Sequence, residues 1–77
     1  SMIRPIPSAP KAARIHTWLQ ANPAATSNQV ADGLGMPSKN ACAILSEMER
    51  AGFVSTTRVH SATAKRHVRL YSAIDNT

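Results

Sequence analysis

The chain has 77 residues, nine Lys and Arg against four Asp and Glu, a formal net charge of +5 and a sequence pI near 10.4. That allows one small domain with a thin core and favours an anionic partner, nucleic acid first and an anionic membrane surface second. The lone cysteine, Cys42, leaves no disulfide to form within these residues and no thiolate cluster for zinc; no apolar run is long enough for a membrane span or a signal-peptide core, so a cytoplasmic protein is expected.

Ser1-Met2 reads as a tag remnant ahead of a native start. Residues 1–10 hold Pro5, Pro7 and Pro10 with a single charge, Arg4, a pattern that blocks a helix and favours an extended arm. Such an arm either reaches a minor groove or a neighbouring subunit, or frays. The first helix is expected over about Ala9 to Ala21, with Ser8 as N-cap and Pro10 tolerated in the first turn. Ala12, Ile15, Trp18 and Leu19 form its apolar stripe, and Asn22-Pro23 ends it. Trp18 on that stripe reads as a core anchor rather than a stacking platform.

A second helix starts at Thr26-Ser27-Asn28-Gln29, a capping-box pattern, and turns Val30, Ala31 and Leu34 inward. Gly33 weakens it near its end, so it is short. Its first turn, with exposed N–H groups and the side chains of Thr26, Ser27 and Asn28, suits a DNA phosphate. The third helix, about Pro37 to Ala51, places Ala41, Leu45 and Met48 at i, i+4 and i+7 with Ile44 beside them, and Gly52 stands where a left-handed cap is expected. Two short helices joined by a tight glycine turn, the second with a polar start, make a helix-turn-helix arrangement. Val54 to Val59 then reads as a strand, 60–65 as a connection and Arg66 to Ser72 as a return strand in which Val68 and Leu70 alternate with His67, Arg69 and Tyr71.

On Val30-Ala31, Leu34-Gly35-Met36-Pro37, Ile44-Leu45, Met48-Glu49 and Ala51-Gly52-Phe53-Val54, the sequence resembles the winged helix-turn-helix regulators of bacteria. IclR-type DNA-binding domains are nearest in pattern, and MarR-type domains are also similar. The resemblance covers roughly Lys11 to Ser72. It implies an α+β fold of three helices followed by a two-stranded β-hairpin wing: an arm over 1–10, the winged domain over 11–72 and a loose tail over 73–77. It also implies double-stranded DNA as partner, with the third helix in the major groove. Ser38, Lys39 and Asn40 match the family's contact positions. Asn reads adenine well and Lys reaches guanine or phosphate, although Asn40 equally suits a local cap at the helix start. The chain departs from the family at Ala43, usually an arginine, at Cys42, usually polar, and at the hairpin tip, which lacks the usual glycine. Ala43 can meet a thymine methyl, a weak discriminator. Z-form nucleic-acid binders share the fold, but the asparagine, tyrosine and Pro-Pro-x-Trp they need are missing.

From Ser55 to Ser72 the chain carries Arg58, Lys65, Arg66 and Arg69 with His60 and His67 and no acid, so the hairpin is either a phosphate contact, through Arg58, Lys65, Arg66 and His67, or a solvated basic surface. Catalysis finds little support. Asp32, Glu47, Glu49 and Asp75 are scattered, no glycine-rich phosphate loop is present, and His16, His60 and His67 form no ligand spacing with a cysteine pair and are expected to be exposed. Cys42, with no basic neighbour in sequence, is expected to be inert rather than a redox sensor. No enzyme activity, metal or cofactor is expected. The expected function is a small transcriptional regulator, a repressor suited to a phage or mobile element, with a homodimer compatible and no small-molecule effector domain in these residues. A protein-docking module using Cys42-Ala43-Ile44, or a non-specific nucleoid-type DNA binder, are the rival expectations.

Overall fold

The computed structural model describes Pro7, residues 9–63 and residues 65–74. Three helices, α1 (Pro10–Ala21), α2 (Ser27–Leu34) and α3 (Ser38–Ala51), are followed by an antiparallel hairpin of β1 (Val54–Ser61) and β2 (Arg66–Ala73). This is the α+β layout expected from the sequence. Most of the proline-rich arm, the proposed cap Ser8 and residues 75–77 lie outside the described residues. Ala9 occupies the N-cap of α1 without a side-chain cap, and Pro10 opens the helix, where its missing N–H costs nothing.

The helices bury one stripe each. Ile15 and Leu19 from α1, Val30 from α2, Leu45 from α3 and Val54 from β1 are the largest fully enclosed side chains. Ala12, Ala31, Ala41, Met48 and Tyr71 complete the core with Ala25. Trp18 is only half-buried and packs against this cluster from the side. Its ring lies over Gly33, where an added Cβ would come within 2.5 Å of the indole. Gly33, which reads in sequence as a weak point of α2, is thus the seat of that ring.

His16 corrects the expectation that every histidine is exposed: it is 3% exposed and belongs to the inward stripe of α1 with Ala12, Ile15 and Leu19. Its Nε2 bonds the Ile74 carbonyl at 3.2 Å, and since a carbonyl only accepts, Nε2 carries the proton. The ring meets Phe53 edge-on at 6.3 Å. Ile74 N–H in turn donates to the Phe53 carbonyl at 2.8 Å. The second strand therefore runs past its expected end: Ala73 completes β2, and Ile74 is tied to both α1 and the residue before β1.

The hairpin is also longer at its tip than expected. Pairing runs in one register from Val54↔Ala73 through His60↔His67 to Ser61↔Arg66, and Lys65 N–H bonds the Ser61 carbonyl at 2.7 Å. On the other side of β2, Ala25 exchanges both main-chain bonds with Tyr71, at 3.0 and 2.7 Å, and Ala24 N–H donates to the Ser72 hydroxyl at 3.1 Å. The loop between α1 and α2 is thereby fastened to β2. Since Tyr71 spends its main-chain groups on Ala25, strand alternation turns those of His67 and Arg69 the same way, and turns those of Thr56, Arg58 and His60 to the outer edge of β1.

Candidate nucleic-acid interface

The loop-to-strand bridge decides what faces what. Pinning Ala25 to Tyr71 places the first turn of α2 beside the outer half of β2. The two enclose an open cleft of about 370 Å³, lined by Thr26, Ser27 and Asn28 of the α2 start, Cys42 of α3, and Arg66 to Arg69 with Tyr71 of β2. Five of the residues expected from sequence to meet DNA, Thr26, Ser27, Asn28, Arg66 and His67, are brought together here. Among the described residues, no carboxylate lines the cleft.

The α2 start is built to present donors. Thr26 Oγ1 accepts from Gln29 N–H at 3.1 Å and Gln29 Oε1 accepts from Thr26 N–H at 2.8 Å, so the capping box closes as the sequence suggested. That leaves the N–H groups of Ser27 and Asn28, which have no carbonyl one turn back within the helix, to face outward with the positive end of the helix dipole. Across the cleft, the N–H groups of His67 and Arg69 lie on the edge of β2 that faces away from β1, beside an imidazole and a guanidinium side chain.

The remaining expected residues lie around the cleft rather than in it. Lys39, Asn40 and Ala43 are exposed on α3. The Ser38 hydroxyl donates to Asn28 Oδ1, which locks the start of α3 to the first turn of α2 and engages Ser38 within the protein. Pro37, with no side-chain cap bond, holds the N-cap of α3, so Asn40 does not serve there. Arg58 lies on β1 directly opposite Arg69, and Lys65 at the turn. Arg69, Cys42 and Tyr71 also line the cleft, beyond the contacts expected from the sequence. Cys42 and Tyr71 depend on the Ala25 bridge, for which the sequence carries no local signal.

Ile44 packs against the core, which leaves Cys42 and Ala43 as small exposed neighbours rather than a continuous apolar surface. Acids stand elsewhere: Glu47 pairs with Arg50 at 2.6 Å on the far half of α3, and Asp32 lines a different surface near Trp18. The cleft therefore offers hydrogen-bond donors and cations without a paired carboxylate or a metal cage; among the described residues no group of three potential ligands converges. No helix among them is long and apolar enough to cross a membrane. The sequence matches no protein-family model, and no curated protein matches it significantly.

Proposed function

We propose that this chain is a winged helix-turn-helix domain that binds double-stranded DNA and acts as a transcriptional regulator. In this reading α3 enters the major groove with Lys39, Asn40 and Ala43 towards base edges, and the hairpin is the wing that follows the phosphate backbone. The observation that carries it is the acid-free cleft. Helix-start amides of Ser27 and Asn28 converge there with Arg66, His67 and Arg69 of β2, and α3 stands alongside. Donors and cations aimed into one groove suit phosphate, which supplies the counter-charge that the hairpin lacks within the protein.

Affinity is then mostly electrostatic, and sequence choice rests on few groups. Ala43 offers only a methyl contact and Ser38 is engaged with Asn28, so Lys39 and Asn40 carry the discrimination. The test is fluorescence anisotropy of a labelled random duplex at several salt concentrations. A steep, linear fall of log K with log salt is the expected result, with a slope of about −0.9 for each phosphate neutralised. Arg66→Ala should weaken binding to all sequences about equally and flatten that slope by about one unit, whereas Asn40→Ala should relax choice at one base pair after selection of a preferred site. Absence of binding at low salt overturns the reading. Binding with no sequence preference at any position would instead assign a packaging role.

A further inference from the structure

One face of the hairpin carries two stacked pairs of like groups. Register places Arg58 opposite Arg69 and His60 opposite His67. Both are non-hydrogen-bonded pairs, because Tyr71 on the same alternation spends its main-chain bonds on Ala25. These are the positions where facing side chains approach most closely, with Cα atoms about 4.5 Å apart. The histidine rings stand edge to face at 5.5 Å. Like charges placed directly opposite are destabilising in an isolated hairpin, yet here an arginine pair stands next to a histidine pair along the same face, leading outward from the buried Tyr71.

We propose that Arg58 with Arg69 and His60 with His67 form a two-layer grip on neighbouring phosphates of one nucleic-acid strand, the outer layer closing only when its imidazoles take up protons. This rests on the DNA-binding reading above and adds a proton to it. The inner layer is permanently charged, because guanidinium does not lose its proton in proteins. The outer layer is made of imidazoles, which are cationic only when both ring nitrogens carry a proton. A phosphate held between the two rings is the counter-charge that allows both to be cationic. The layers are separated by two residues of strand, about 6.8 Å, a separation comparable with that of successive phosphates along a strand. The charged groups around the rings are Arg58 and Arg69 below, and Lys65 and Arg66 towards the turn. Beside His67 the neighbouring helices contribute Ser27 and Asn28 from α2 and Cys42 from α3, with no carboxylate among the described residues of that cleft.

Because DNA favours the protonated rings, binding consumes protons and affinity rises as pH falls through the histidine range. The experiment is anisotropy of a fluorescein-labelled duplex at pH 8.0, 7.0, 6.0 and 5.5, each over a salt series. It compares the unaltered chain with His60→Gln/His67→Gln and with Arg58→Gln/Arg69→Gln. The expected result is a salt slope that steepens at low pH by roughly 0.9, for the one phosphate that the histidine pair takes, lost in the histidine variant and retained on a shallower baseline in the arginine variant. All four side chains are exposed, and thermal melts establish that the variants fold. Binding that is salt-dependent but flat with pH, or a pH response that survives in the histidine variant and so originates elsewhere, for example at His16, overturns this proposal while leaving the DNA reading standing. No binding at any pH overturns both.

Discussion

Lys65 closes the hairpin with a left-handed backbone, φ +54°, in the place where a glycine would be conventional. An L-residue is strained there, so Lys65→Gly should stabilise the domain by up to about 1 kcal/mol. It should also remove one unit of salt slope if the ammonium reaches a phosphate. A thermal melt and a salt titration of the same variant read the two effects separately, and a gain in stability with an unchanged slope would retire Lys65 as a contact. Gly33 is constrained in the opposite sense. Alanine improves helix propensity by about 1 kcal/mol, but its Cβ would fall 2.5 Å from the indole of Trp18, and overpacking typically costs 1–3 kcal/mol. Gly33→Ala should therefore lower stability by about 1 kcal/mol net, seen as a reduced denaturation midpoint together with a shift in tryptophan emission. Neither effect is visible in a linear reading, since one depends on a backbone angle and the other on a contact from a different helix.

At the scale of elements, the capping box of α2 joins stability to the site. Thr26→Ala removes the acceptor for Gln29 N–H and should cost about 1 kcal/mol. Because the same turn presents the Ser27 and Asn28 amides, DNA affinity should fall with it, and Thr26→Ser should restore both. Stability loss without loss of affinity would separate the cap from the interface. The elements legible in the sequence were those with their own local signals: this cap, the periodic stripe of α3 with Gly52 at its end, and two alternating runs of β residues. What escaped was set at long range. His16 lies on the same stripe as Ile15 and Leu19, but a histidine there is chemically ambiguous until the Ile74 carbonyl arrives from the far end of the chain. Ala25 reads as part of a loop until Tyr71 pairs with it. That pairing is also why Arg69 and Cys42 join a cleft that sequence spacing could not assemble.

Across the whole molecule, charge is segregated rather than balanced. The described acids are exposed on α2 and α3 away from the cleft, while the hairpin carries cations on both strands. The surface ion pair of Arg50 with Glu47 contributes at most about 0.5 kcal/mol, so raising salt should weaken DNA binding much more than it changes the melting temperature. The outer edge of β1 adds a further consequence. Eight residues long and, among the described residues, paired on one side only, with Val59 38% exposed, it is an open template on which another extended chain could add. The positive side chains that invite phosphate also keep copies of this edge apart. Replacements that erase nucleic-acid affinity by neutralising Arg58 and the cations beside it should then make the protein stick to itself. The insoluble variants in such a series would reveal the second duty of those charges as guards of an unfinished sheet.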